Sequence, residues 1–440
     1  MIGIKFFLTA IILLMMTFSM PAEEVIVFLG DSITQLGIYP NDLQLWYALK
    51  YPRHKRIICN AGMAGNQAKD ALQRLKQDVW YFKPDQVYIF FGINDIQRHL
   101  YRKEHFASRE EQRLNALRAY RENICSLVDL TRKRNIGVTL IAPSPFDQYS
   151  ALQHPCDGDI NEVGLRKCTE ELYKISKEKK IPLIDLFSPM TVLVQKFPGL
   201  QLCGADRIHP LSNGQRLIAA LIFEKNNVPH PVIQTDYRMR TVSSRYCQIM
   251  DCSFSENCLS WKIRPEQLPF PMEKIRARLR DVYDFSRLDS MFFSIKGLPA
   301  GTWSLKSGNN IIASAKAVDW DKGIDLAQLD FFPPQIQAKK TLPVQKKIFE
   351  LQTDFRICRL AETKIRSVGG NPLDSTSSEY AITKILKNSG NHPYYKYVFE
   401  RFRAKQISIE HFFSRHKELV NELYLITQPE IFNLTLQKEN

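Results

Sequence analysis

Asp206-Arg207-Ile208-His209-Pro210 sets an Asp and a His three residues apart. On one turn, that spacing lets the carboxylate orient the imidazole and support its charge while the ring takes a proton from a hydroxyl. A suitable hydroxyl stands far upstream, in Gly30-Asp31-Ser32-Ile33-Thr34. Ser32 directly follows an apolar run and precedes a helical pattern, and backbone N–H groups at a helix start can stabilise an oxyanion. Two further segments, Asn60-Ala61-Gly62-Met63-Ala64-Gly65-Asn66 and Gly92-Ile93-Asn94-Asp95, also follow apolar runs. Gly62 and Gly65 let the backbone bend tightly and approach a ligand without a Cβ in the way. Asn94 can aim its side-chain NH₂ at developing negative charge. Each segment alone has a plainer reading: Ser32 and Asn66 as helix N-caps, Asn94 as a turn residue, His209 as a surface residue beside a proline. Together they supply a nucleophile, a base, its orienting carboxylate and donors for an oxyanion.

The elements that must position these residues are legible between 25 and about 224. Strands are expected over Val25–Leu29, Arg56–Cys59, Gln86–Phe91, Gly137–Ala142 and Ile181–Leu186. Helical patterns lie near Asn41–Lys50, Gln67–Phe82, Glu110–Asn135 and Ile160–Lys179, with a last one over Ser212–Glu224. Short apolar strands alternating with amphipathic helices predict a parallel sheet covered on both faces, an α/β fold. Ligands of such sheets bind at the carboxyl ends of the strands, where all four segments fall.

On these residues the chain resembles the SGNH hydrolase family, also called GDSL-type esterases. Ser32 matches the nucleophile of its GDS block, Gly65 the glycine of the second block, Asn94 the asparagine of the GxND block, and Asp206 with His209 the DxxH block. The resemblance covers about residues 25–225. It implies a three-layer α/β/α flavodoxin-like fold with a five-stranded parallel sheet, and ester hydrolysis by a Ser-His-Asp triad with no metal or other cofactor. It also implies an oxyanion hole from the Ser32 and Gly65 N–H groups and the Asn94 amide. One departure is visible: many relatives follow the block-two glycine with Asp-Thr, whereas Asn66-Gln67 stand here, which bears on the capping of that turn.

The 440 residues carry 60 Lys+Arg against 46 Asp+Glu, 44% hydrophobic and 11% aromatic residues, which exclude a disordered, collagenous or small disulfide-stapled chain. The net charge of +14 divides into +5, +2 and +6 over residues 23–234, 235–334 and 335–440, with Lys5 supplying the last charge, so it is spread out and no nucleic-acid partner is expected. Residues 1–22 read as a signal peptide: Lys5 is a positive start, Phe6 to Phe18 is apolar, and Ser19-Met20-Pro21-Ala22 offers small residues for cleavage. The expectation is an exported protein, periplasmic or secreted, with no stable membrane span once the signal is cleaved. Export permits disulfides among the nine cysteines. Cys59 and Cys125 look like small buried hydrophobes, while bridges are expected among loop-proximal Cys156, Cys168 and Cys203 and clustered Cys247, Cys252 and Cys258.

Beyond the hydrolase domain, assigned to 23–234, residues 235–334 read as a β-rich accessory domain. Met291–Lys296 and Thr302–Lys306 flank Leu298-Pro299-Ala300-Gly301, and Ser307-Gly308-Asn309 is a turn signal. Residues 335–440 read as a helical region, with patterns at Val344–Ser367, Glu379–Lys387 and Ile409–Ile426. The export signal and the blocks look like family members that remove O-acetyl groups from carbohydrate, making an acetylated polysaccharide or oligosaccharide the expected partner. A lipase-like or lysophospholipase-like esterase for longer acyl chains is an alternative. Another is a carbohydrate-binding protein with a vestigial hydrolase domain, whose Trp303, Trp320, Phe331 and Phe332 would stack on sugars; core packing explains the same aromatics more simply.

Overall fold

The computed structural model describes residues 23–102, 107–150, 158–275 and 277–439; the expected signal peptide and Cys156 lie outside them. The first part runs β1 (Glu24–Gly30), α1 (Ser32–Gln35), α2 (Ile38–Lys50), β2 (Arg56–Gly62), α3 (Ala68–Asp78), β3 (Gln86–Phe90), α4 (Glu110–Arg132), β4 (Gly137–Ile141), α5 (Arg166–Lys179), β5 (Leu183–Ile184), α6 (Phe187–Lys196) and α7 (Ser212–Phe223). Its five strands form one parallel sheet in the order β2-β1-β3-β4-β5. Val25 to Leu29 are all buried, as a strand covered on both faces requires. Helices α2 and α7 pack together, and α3, α4 and α5 pack in a row, giving the expected α/β/α architecture. β5 is shorter than predicted because Pro182 has no N–H for the ladder, and α4 stops before Asn135, whose φ is +60°. Helix α6 was not anticipated.

The β-rich part adds β6 (Val232–Asp236), β7 (Thr241–Arg245), β8 (Cys247–Phe254), β9 (Cys258–Pro265), α8 (Ala277–Arg280), β10 (Phe292–Lys296), β11 (Thr302–Ser307), β12 (Asn310–Lys316), α9 (Ala317–Lys322) and β13 (Ile324–Asp325). The tail contributes α10 (Pro333–Lys339), α11 (Leu342–Ser367), α12 (Ser375–Asn388), α13 (Pro393–Lys405), α14 (Ile409–Ile426) and β14 (Phe432–Lys438). Two sheets, β13-β10-β6-β7 and β12-β11-β14-β9-β8, share one core, with Trp261 edge-on to Phe293 at 5.0 Å. Strand β14 is the central member of the second sheet, whereas residues 335–440 read as helical. The period-2 burial of Phe432, Leu434 and Leu436 is what carries the chain end back to the β-rich part. Trp303, Trp320 and Phe332 are fully buried in this core, so three of the four aromatics considered for sugar stacking are packing residues. All eight described cysteines are free thiols, against the expected bridges. On the β8–β9 hairpin Cys252 faces Trp261 and Cys247 faces Pro265, so no two of the clustered cysteines are cross-strand partners.

The tail packs onto the first part. β2 is an edge strand, and its outward backbone groups are met by side chains. Arg56 N–H donates to Tyr424 Oη (2.9 Å), Ile58 N–H to Gln44 Oε1 (2.9 Å) and Asn60 N–H to Gln352 Oε1 (2.9 Å), while Arg356 Nε donates to the Gly62 carbonyl (2.9 Å). Gln44 is on α2, Gln352 and Arg356 on α11 and Tyr424 on α14. Phe355 and Phe412 of the tail stack at 4.1 Å within the core of the α/β part. Met63, just past β2, is in turn buried in the helical core with Ile357, Leu360, Ile382 and Phe399.

The β-rich side is joined by a buried ion pair between Lys50 at the end of α2 and Asp289, which also accepts from the Phe270 N–H (3.1 Å) and from Gln328. Burial pushes Asp289 up to about 6 despite the opposing Lys50 charge. Lys50→Met should strand the carboxylate and lower stability at pH 7 by about 3–5 kcal/mol. The deficit should shrink at pH 5, where Asp289 can become neutral, and denaturant midpoints at the two pH values check both statements.

Candidate active site

Strand β1 ends at Gly30, and Asp31 turns the chain into α1 by accepting the Ile33 N–H (2.9 Å). This places Ser32 at the first position of α1, past the carboxyl end of the sheet. His209 Nε2 lies 2.8 Å from Ser32 Oγ, and His209 Nδ1 is hydrogen-bonded to Asp206 Oδ2. The other carboxylate oxygen accepts the Ile208 N–H (3.0 Å) and the His209 N–H (3.1 Å), so Asp206 holds both the ring and the backbone that carries it. Burial alone would raise Asp206, but the hydrogen bonds from His209 and Ile208 hold it well below the usual carboxylate range. Its carboxylate in turn raises His209 above the ordinary 6.5, against partial burial.

Arg207, between these two residues, was not singled out from the sequence. It has φ +64°, a conformation costly for a residue with a Cβ. Its side chain compensates: Nη1 donates to the carbonyls of Asp147 (2.8 Å) and Ser150 (3.0 Å), and its own carbonyl accepts the Asp147 N–H (2.9 Å). The His209 loop is thereby fastened to the segment after β4. Gly204 N–H to His209 C=O (2.9 Å) and Leu211 N–H to Leu202 C=O (2.8 Å) close the loop on itself.

The glycine segment follows β2. A Cβ on Gly62 would fall 2.2 Å from the Gln35 backbone nitrogen, so only glycine lets β2 approach the serine helix. Gly65 has φ +78° with open space around it, and glycine serves there for conformation alone. Asn94 Nδ2 donates to Asn66 C=O (3.0 Å), and Gln67 Nε2 donates to Asn94 C=O (2.8 Å), tying the glycine turn to the end of β3. Asn66-Gln67 do not weaken the turn: Asp70 accepts the Gln67 N–H (2.8 Å), Asp95 the Ala68 N–H (2.8 Å), and Asn66 Oδ1 takes Arg74 Nε (2.7 Å). Gln35, one turn after Ser32, accepts the Ala64 N–H (2.7 Å) and donates to Tyr394 Oη (3.1 Å) on α13. Burial raises Asp31 to about 6 and Asp95 to about 7, so two carboxyls beneath the site resist ionisation.

A buried charge cluster underlies the ends of β1 and β2. Arg74 donates to the carbonyls of Gly30 (2.9 Å) and Ala61 (2.8 Å) and to Asp78 (3.1 Å); Arg356 joins Gly62 C=O to Asp78 (3.0 Å), and Arg359 reaches the other oxygen (3.3 Å). Burial opposes the Asp78 charge, yet Arg356, Arg74 and Arg359 pull its carboxyl far below the usual range, while burial lowers Arg74 to about 10.

Ser32, Gly65, Asn94 and His209 line one cavity of about 510 Å³, with Asp206 behind His209. The five residues singled out from the sequence are thus brought together. The cavity's far wall was not foreseen: it comes from Thr353 and Ile357 of α11 and Tyr394 and Tyr397 of α13. Among the described residues, no group of three or more His, Cys, Asp or Glu could hold a metal ion.

Residues 26–222 match the GDSL-like Lipase/Acylhydrolase family. An acetylxylan esterase of Geobacillus stearothermophilus is 26% identical over 214 residues, 44% of this chain and 90% of that protein. The lipoprotein YqeF of Bacillus subtilis is 29% identical over 138 residues, 30% of this chain and 53% of its own length. A gut microbial diltiazem-metabolizing enzyme shares the fold of nearly the whole chain, with a TM-score of 0.84 at 20% identity, covering 95% of this chain and 98% of that one. Residues 26–222 thus form a domain of the GDSL-like lipase/acylhydrolase (SGNH/GDSL) family, which makes the chain a carboxylic ester hydrolase.

Proposed function

We propose that the chain is an exported serine esterase in which Ser32, His209 and Asp206 form the catalytic triad and the substrate is an O-acetylated carbohydrate. The observation that carries the triad is the continuous chain from Ser32 Oγ through Nε2 (2.8 Å) and Nδ1 of His209 to a carboxylate kept ionised. In this reading His209 takes the Ser32 proton as Oγ attacks the ester carbonyl. The tetrahedral oxyanion is held by the Ser32 and Gly65 N–H groups and the second N–H of the Asn94 amide, the first being engaged by Asn66. Protonated His209 gives its proton to the departing alcohol, and water then attacks the acyl-enzyme by the same steps in reverse. Asp206 keeps Nδ1 protonated so that Nε2 is the basic nitrogen. The acetylxylan esterase relative supports deacetylation of carbohydrate, and Lys5 with the apolar run Phe6 to Phe18 supports export.

Ser32→Ala should lower kcat for p-nitrophenyl acetate by more than about 10⁴-fold while circular dichroism and Tm stay near the parent values. Retained turnover would remove Ser32 from the reaction.

The base must be neutral to act, and His209 is raised above 6.5. The acid limb of kcat/KM should therefore have its midpoint above 6.5, activity falling as pH drops through it. Asp206→Asn should move that midpoint to lower pH and reduce kcat by a factor on the order of 10⁴. A limb unmoved in this variant would assign it to another group.

A further inference from the structure

The cavity is far larger than an acetyl group needs and falls in the range of about 300–1,000 Å³ typical of pockets that enclose a small molecule. Three of the chain's exposed large apolar residues sit around it: Leu36 (41% exposed), Tyr394 (37%) and Tyr397 (47%). Tyr394 and Tyr397 are three residues apart on α13, so their rings lie on one face. That helix packs into the bundle core through Val398, Phe399 and Phe402, and neither tyrosine belongs to that core. Fold stability therefore leaves both rings unexplained, and they present flat apolar surface toward the site. Tyr394 is also held in place, its hydroxyl accepting from Gln35.

We infer that the α13 face bearing Tyr394 and Tyr397, with Leu36 and Ile357, is the subsite for the alcohol half of the ester, and that it takes a ring-bearing alcohol with an apolar face. The inference rests on the proposed acetylesterase reading: with a two-carbon acyl group at Ser32, the remaining space belongs to the alcohol, whose oxygen must lie at His209 to receive its proton. A sugar ring and an aromatic ring share the chemistry such a wall recognises, a flat face of C–H or π surface.

The test compares kcat/KM for 2-naphthyl acetate and for fully acetylated xylobiose, each divided by the value for ethyl acetate. Parent protein, Tyr394→Ala, Tyr397→Ala and the double variant are measured, with Tyr394→Phe as a control that keeps the ring and loses the bond to Gln35. At least one ratio should fall tenfold or more in the double variant, mainly through KM, and should be retained in Tyr394→Phe. The substrate whose ratio falls identifies the ring class. Ratios unchanged within twofold would overturn the inference. So would a selective loss of 2-naphthyl octanoate relative to 2-naphthyl acetate, which would assign the wall to the acyl chain. Loss of ethyl acetate hydrolysis in Ser32→Ala is scored separately, so failure of the esterase reading is distinguishable from failure of the subsite.

Discussion

An edge strand must satisfy its outward backbone groups, and in this protein the edge strand is the one that carries the glycine turn of the active site. β2 ends at Gly62, and Gly65 follows three residues later. Among the described residues no further strand covers β2; side chains of α2, α11 and α14 take its N–H groups and the Gly62 carbonyl. Without them these buried groups would be unpaired at about 1–3 kcal/mol each, and the edge would be open to another chain. The tail is therefore bound to the hydrolase part by the backbone around the candidate site, and α11, which helps close the edge, also builds part of the far wall of the cavity.

The charge cluster at Asp78 extends this dependence to the end of β1. Its guanidinium groups hold the carbonyls of Gly30, Ala61 and Gly62, which fix where Ser32 and the glycine turn begin. Three cations on one buried anion are tolerable because Arg74 and Arg356 also find carbonyl acceptors, while Arg359 also reaches Glu362 and the Gln77 amide oxygen, as a buried ion network requires. Arg207 plays the corresponding part for His209, using two carbonyls to hold a left-handed turn. The groups proposed to react thus sit at a helix start and on short loops, each tied to neighbours outside its own segment, which holds the hydrogen-bonded chain Asp206-His209-Ser32 in one geometry.

Much of the α/β part was legible because its signals are local, and the five residues proposed for the site stood out only in combination. Apolar runs marked the strands; a Ser, a Gly and an Asn each follow one, and the Asp-x-x-His lies on the loop before the last helix of this part. What supports them was not legible. Arg74 and Asp78 sit four apart on α3 and look like a surface ion pair, since nothing in the sequence tells that α11 will bury them. Arg207 lay in view between Asp206 and His209, but its positive φ has no sequence signature in a residue other than glycine or asparagine. The tyrosines of Pro393-Tyr394-Tyr395-Lys396-Tyr397 are a dense aromatic group in a polar helix, which could have flagged a surface site. Strand β14 was missed although Phe432, Leu434 and Leu436 alternate as a half-buried strand should, and the cysteine cluster misled because spacing along a strand says nothing about which residues oppose one another.

In the proposed mechanism Ser32 is a nucleophile because His209, oriented by Asp206, stands ready to take its proton. Reaction with a fluorophosphonate followed by peptide mapping tests that claim most directly. The expected outcome is a single stoichiometric adduct on Ser32 that is nearly abolished in His209→Ala. An adduct on another residue, or labelling of Ser32 that is undiminished without His209, would contradict it.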